Sequence, residues 1–152
     1  MRLLYPVPAG FEIRSAQLQF RGRRVALGVE DVVFPGHITF EQILAFYRTA
    51  HVFLCMSEHE GFCVPLVEAM YFNVPIVAYD ACAVPDTLGG SGILLRDKDP
   101  VLTAAVIDRL VTDEALRASV LEQQRRQLEH FSYETVSALF RKQFETFLKR
   151  EN

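Results

Sequence analysis

The sequence contains no apolar stretch long enough to cross a bilayer, which takes about 20 consecutive apolar residues. Its first residues do not read as a secretory signal. Residues 1–10 carry one Arg and a short apolar run broken by Pro6 and Pro8. Cysteine is scarce: Cys55, Cys63 and Cys82 are odd in number and follow no zinc-ligand spacing. That usage excludes a disulfide scaffold and points to free thiols in a reducing, cytoplasmic compartment. Excess positive charge is absent too. Sixteen Lys and Arg stand against 19 Asp and Glu, a net charge of −3, so no global basic field invites nucleic acid or an anionic membrane. There is no internal repeat, low-complexity tract or linker. What remains is a chain of 152 residues, 50% hydrophobic and 23% charged, which suits one globular domain with a real core.

Short apolar runs alternate with helical patterns along this chain. Residues 2–8 read as a strand, 14–28 as a helix and Val32–Phe34 as a short strand stopped by Pro35-Gly36. Thr39, followed three residues on by Gln42, forms a capping box. Ile43, Leu44, Phe46 and Tyr47 give the helix after it an apolar face. Residues 51–57 (HVFLCMS) form a continuous apolar run, as a strand buried on both faces requires. A helix over Val64–Phe72 starts with Pro65 in its first turn and stops at Asn73, a residue tolerant of left-handed backbone. Pro75–Tyr79 is the next strand, residues 89–92 (GGSG) a turn, and Ile93–Leu95 the last strand. Asp99-Pro100 opens a helix to Val111, Asp113 another to His130, and Ser132 caps the final one. Its residues Val136, Leu139, Phe140, Phe144, Phe147 and Leu148 recur at helical spacing. The expectation is an α/β fold: a doubly wound, Rossmann-like parallel sheet of about five strands in the order 2-1-3-4-5, with extra C-terminal helices.

Chemistry concentrates in Ser57–Met70, where a buried strand gives way to a helix. Ligands of open α/β sheets bind at such carboxyl ends. Gly61 permits unusual backbone conformations and close approach of a ligand. The N–H groups of Phe62, Cys63 and Val64 sit at a helix start, which carries partial positive charge and suits a phosphate. Glu60 and Glu68, seven residues between them, can accept hydrogen bonds from sugar or ribose hydroxyls. Each piece alone also has a bland reading. A Glu in an apolar helix is often a structural partner for an Arg or a backbone group, and a glycine before a helix is often only a turn.

Together the pieces resemble the E-x7-E signature of family 4 retaining glycosyltransferases of the GT-B fold. It runs here as Glu60-Gly61-Phe62-Cys63-Val64-Pro65-Leu66-Val67-Glu68-Ala69-Met70. The likeness continues in residues 27–37 (LGVEDVVFPGH), 50–54 (AHVFL), 74–78 (VPIVA), 83–95 (AVPDTLGGSGILL) and 131–133 (FSY), in the family's order. The resemblance implies a nucleotide-sugar-binding, C-terminal half of a hexosyltransferase (EC 2.4), of the kind used in polysaccharide biosynthesis. Glu60 would be the catalytic residue beside the donor sugar's anomeric carbon. Gly61, Phe62 and Cys63 would hold the sugar, Val64 and Leu66 would reach the phosphates, and Glu68 would bind the ribose. Gly36, His37 and Ile38 would border the nucleobase. The ligand would be a UDP-, GDP- or ADP-sugar, with no metal and no cofactor.

Three residues depart from the family pattern. Cys63 and Asn73 stand where it usually has Gly, and Asp86 where it usually has Glu. The strand and loop that normally carry an Arg and a Lys for the diphosphate have no counterpart here. Arg21, Arg23 and Arg24 fall in the first expected helix and read as a solvated face. The acceptor-binding half is likewise absent, so the chain reads as one donor domain over 1–152. The expectation is an excised or truncated fragment, or a degenerate relative, inactive alone and prone to self-association through the bare apolar face of its last helix. The alternative is a non-catalytic remnant that acts as a binding or interaction module. Other chemistries fail on residues. Cys55, His59 and Cys63 match no zinc spacing, the P-C-x-x-C of zinc deaminases is missing, and GGSG is followed by no helix-opening third glycine.

Overall fold

A computed structural model describes residues 3–4, 17–20, 23–26 and 35–150. In chain order the elements are β1 (Leu3–Leu4), β2 (Gln17–Phe20), β3 (Arg23–Ala26), α1 (Phe40–Thr49), β4 (Val52–Cys55), α2 (Val64–Tyr71), β5 (Ile76–Tyr79), α3 (Val84–Leu88), β6 (Ile93–Leu95), α4 (Pro100–Thr112), α5 (Glu114–Glu129) and α6 (Tyr133–Arg150).

Four strands form a parallel sheet in the order β1-β4-β5-β6. Its centre is β4 and β5. Every residue of β4 is buried, and so are Ile76, Val77 and Ala78 of β5, because helices cover both faces. Alternation sorts the side chains. Phe53, Cys55, Ile76 and Ala78 face one core with Tyr47 of α1, Leu66, Ala69 and Met70 of α2, and Val84 and Leu88 of α3. Val52, Leu54 and Val77 face the other with Ile107 and Leu110 of α4 and Val120 of α5. The α/β class with a parallel sheet is thus as expected. The expected strand at 32–34 lies outside the described residues, as do all of 2–8 except Leu3 and Leu4.

The expected helix over 14–28 is a correction. Where that stretch is described it forms an antiparallel pair, β2 with β3, in register from Gln17 opposite Ala26 to Phe20 opposite Arg23. Arg23 and Arg24 therefore belong to a strand and not to a helical face. The physical reason lies in the sequence: Leu18 and Phe20 alternate with glutamines, the period of a strand, and Gly22 falls inside the expected helix. A glycine weakens a helix interior.

Local signals set the ends of the other elements. Thr39 accepts from the Gln42 amide while the Gln42 side chain accepts from the Thr39 amide, a complete capping box. Asn73 stops α2 with a φ of 54°. Asp99 accepts from the amides of Val101 and Leu102, and Asp113 from that of Leu116. The short helix α3 was not expected from sequence. Pro85 lies in its first turn, and Gly89 ends it with a φ of 55°.

One long-range contact ties α5 to the sheet. Gln124 is 1% exposed. Its Oε1 accepts from the Ile76 amide at 2.9 Å and its Nε2 donates to the Val74 carbonyl at 2.9 Å. A side-chain amide so completes the backbone pairing where β5 begins.

Candidate functional site

Between β4 and α2 the chain crosses the carboxyl end of the sheet, and its carbonyls are held one after another. Met56 O accepts from Lys98 Nζ at 2.8 Å, Glu58 O from Cys82 Sγ at 3.2 Å, Glu60 O from the Ala83 amide at 3.4 Å and Phe62 O from Thr87 Oγ1 at 2.6 Å. Four alternate carbonyls are thereby fixed from α3, the residues just before it, and Lys98. Lys98 also pairs with Glu58 at 2.9 Å and sits 4.6 Å from the Tyr79 ring centroid. Among the described residues, none accepts from the amides of Phe62, Cys63 or Val64. These three donors stand together at the start of α2, where a helix leaves its first amides without an internal partner.

The unusual backbone is at Cys63, with φ 59° and ψ 63°, and not at Gly61. A Cβ added at Gly61 would meet nothing within 4 Å, so the protein itself does not demand glycine there. Cys63 is the N-cap of α2 but makes no side-chain cap. Its thiol turns inward and lies 3.9 Å from that of Cys55 at the end of β4. Hydrogen bonding to Cys63 is the main cause that pulls Cys55 down to about 7. The same bond, then burial, pushes the Cys63 thiol up. The half-buried Glu60 carboxylate approaches both sulfurs.

Glu68, half-buried in the middle of α2, has a definite partner. Tyr47 Oη donates to its Oε2 at 2.8 Å and lies 3.4 Å from Pro65 O. Burial, then the hydrogen bond to Glu68, raises the Tyr47 phenol well above its ordinary value. The Tyr47 ring is pinned between Phe53 and Phe72, with centroids at 6.0 and 5.4 Å. One carboxylate oxygen is therefore oriented from below by a rigid ring, and the group retains further lone pairs for a ligand.

The remaining expected residues divide. Phe62 and Val64 are exposed, Phe62 with its ring edge-on to Phe131 at 5.4 Å. The Leu66 amide bonds Cys63 O at 2.9 Å and its side chain is wholly buried. Gly36 and His37 are exposed and Ile38 half-buried, directly before α1, the helix whose other end carries Tyr47. Gly36 has a φ of 64°. Sequence reasoning missed Tyr47, Thr87 and Lys98 as site partners. Each acts across 18 or more positions, and only the apolar-helix Glu hinted that a partner existed. An open crevice of about 230 Å³ lies elsewhere, lined by Gly89–Ser91 and residues of α5, with His130 after it; no expected site residue lines it.

With this geometry, the family model of glycosyl transferases group 1 matches residues 16–127. The chain belongs to that family, a glycosyltransferase domain of GT-B type. It is 35% identical over 117 residues to the MMP alpha-(1->4)-mannosyltransferase of Mycolicibacterium hassiacum, which covers 74% of this chain and 28% of that protein. It is also 35% identical over 120 residues to the D-inositol 3-phosphate glycosyltransferase of Salinispora arenicola, covering 75% and 26%. Among solved structures, the sucrose-phosphate synthase of Thermosynechococcus elongatus superposes with a TM-score of 0.64 at 22% identity, over 78% of this chain and 30% of that one. That likeness speaks for the fold alone. The C-terminal domain of the glycosyl transferase group 1 protein LpcC from Francisella tularensis gives a TM-score of 0.54 at 28% identity, over 62% and 50%. The chain spans under a third of the length of these two curated relatives. Among the described residues, no helix is long and apolar enough to cross a membrane.

Proposed function

We propose that this chain is the nucleotide-sugar-binding half of a retaining family 4 hexosyltransferase working in the cytoplasm, built on a parallel sheet of five strands in the order 2-1-3-4-5, where 1 to 5 count the sequence-expected strands at 2–8, 32–34, 51–57, 75–79 and 93–95. One observation carries the reading. In a glycosyltransferase domain, the loop and helix after a buried parallel strand carry two carboxylates, Glu60 and Glu68, beside three amides at a helix start. In this reading the amides of Phe62, Cys63 and Val64 take the diphosphate and sugar of a UDP-, GDP- or ADP-sugar. Glu68, oriented by Tyr47, takes the ribose hydroxyls, and Gly36, His37 and Ile38 border the base. Glu60 lies against the sugar near its anomeric carbon. Donors fixed in advance stabilise charge that develops on a leaving diphosphate without reorganising. The mannosyltransferase and inositol-phosphate glycosyltransferase names of the relatives support a sugar acceptor of glycan, lipid or small-molecule type.

Transfer requires the acceptor to be held against the donor, which supplies on the order of 7–11 kcal/mol of barrier lowering. The second wall of such a cleft is not among the residues of this chain. The isolated chain is therefore expected to transfer no sugar and to bind its donor weakly, with Kd roughly 0.1–1 mM. Calorimetric titration with UDP-, GDP- and ADP-sugars reads this directly, and binding should weaken in Glu68→Gln. In a full-length enzyme carrying this domain, Glu60→Gln and Glu68→Gln should each lower transfer by about a hundredfold or more. Full activity in either variant, or turnover by the chain alone, overturns the proposal. No donor binding at all would favour the non-catalytic module instead.

A further inference from the structure

Cys55 ends the central strand β4, and Cys63 opens α2 eight positions later. The fold returns the second thiol to within 3.9 Å of the first. Glu60, on the loop between them, adds a carboxylate: one ligand atom from each of the three residues lies within 4.8 Å of the other two. We propose that Cys55, Glu60 and Cys63 form a binding site for a thiophilic divalent cation, zinc before others.

The spacing fits metal ligation better than a disulfide. Two thiolates at about 2.3 Å from a tetrahedral zinc stand about 3.8 Å apart, close to the separation here. A disulfide would need the sulfurs to close to about 2.05 Å, drawing Cys63 further inward from a backbone already in the left-handed region. The Glu60 oxygen needs only a side-chain adjustment, because a zinc-bound carboxylate oxygen lies at about 2.0–2.2 Å from the metal. Two thiolates and one carboxylate leave a fourth position for water, and binding would release to solvent the protons the two thiols still hold. The thiols are buried, at 1% and 5% exposure, while Glu60 is half-buried, so the carboxylate marks the side of entry. Sequence spacing hides the site because its ligands come from a strand end, a loop and a helix start, not from one compact knuckle. His59, set aside with the two cysteines because their spacing matches no zinc pattern, is exposed and outside the cluster. The site shares Glu60 and Cys63 with the proposed donor site, so a bound cation would hold the carboxylate which that reading gives to the sugar; the metal titration reads the cation site without any sugar donor present.

The test uses the whole chain, reduced and stripped of metal, titrated with cobalt(II) and then zinc(II). One equivalent of cobalt should give sulfur-to-metal charge-transfer absorption with the visible bands of tetrahedral coordination, and zinc should bleach both. Cys63→Gly suits the backbone at that position and is expected to stay folded, as circular dichroism will read. Loss of an outer-shell partner alone costs metal sites about 10–100-fold in affinity, so Cys63→Gly and Cys55→Ser should each weaken zinc by at least about a hundredfold. Glu60→Gln should weaken it less while keeping the charge-transfer bands, and Cys82→Ser should bind as the parent does. Cobalt spectra of octahedral oxygen ligation overturn the proposal. So does zinc affinity unchanged in folded Cys63→Gly and Cys55→Ser, or abolished in Cys82→Ser.

Discussion

Cys63 satisfies two demands that rarely coincide, a left-handed backbone and a buried side chain. A non-glycine residue in that region costs about 1–2 kcal/mol, offset here by a thiol 5% exposed and in contact with Cys55. The family pattern that the motif resembles usually has glycine at this position, and the φ of 59° supplies the reason. Cys63→Gly is expected to leave stability within about 1 kcal/mol, relief of strain cancelling lost burial. Cys63→Val, β-branched at a positive φ, should cost about 1–3 kcal/mol. Urea midpoints at constant slope would check both, and a Val variant as stable as the parent would refute the strain argument. From the sequence, Gly61 drew attention as the residue with unusual backbone, because glycine is the default signal for it. Nothing in a cysteine announces a left-handed φ, so this feature was legible only through the motif's alignment. The Tyr47–Glu68 bond was hidden for another reason: the residues stand 21 positions apart, and tyrosine on an apolar helix face reads simply as core.

Elements whose ends carry their own chemistry were legible. The capping box at Thr39, the Asp99-Pro100 start and the Asn73 stop are short-range signals, and the structure places each at an element boundary. Asp113 ends α4 and starts α5 at once. Accepting from the Leu116 amide is the chief reason its carboxyl is held below the ordinary value, with Arg109 a lesser one. A lowered folded pKa contributes stability that is present above the unfolded value, about 3.9, and is lost as pH falls through the folded one. Asp113→Asn, which can still cap but cannot titrate, should melt below the parent at neutral pH, and the gap should close in acid. A gap independent of pH would contradict the assignment. Asp99→Ala should cost about 1 kcal/mol by loss of the α4 cap, read from the same melts. The β2–β3 pair and α3 were not legible. In the first, Arg and Gln suit either a helix or a strand, and four-residue runs are too short for period alone to decide. In the second, five residues are too few to show a helical period.

At the scale of the molecule, the core is closed on both faces of the sheet but α6 is not part of it. Tyr133, Val136, Leu139, Phe140, Phe144, Phe147 and Leu148 are each about half or more exposed, and Phe140 stacks on Phe144 at 6.1 Å. Contiguous apolar surface of this kind marks interfaces. Through this face the isolated chain is expected to self-associate as concentration rises. Phe140→Ser with Phe144→Ser should abolish that in sedimentation equilibrium without lowering the melting temperature. Persistent association in the double variant would place the contact elsewhere. The apolar period of this helix was plain in the sequence, whereas its detachment from the core was not, because periodicity says which face is apolar and not what covers it. The Gln124 clamp has a consequence in time as well as in energy. Its partner, the Ile76 amide, is tied to a helix across 48 positions of chain, so that hydrogen should trade places with deuterium only when α5 lifts away. Ile76 thus serves as a built-in reporter of how often that helix leaves the sheet. Gln124→Leu should speed its deuteration far more than that of Ala78, deeper in the same strand.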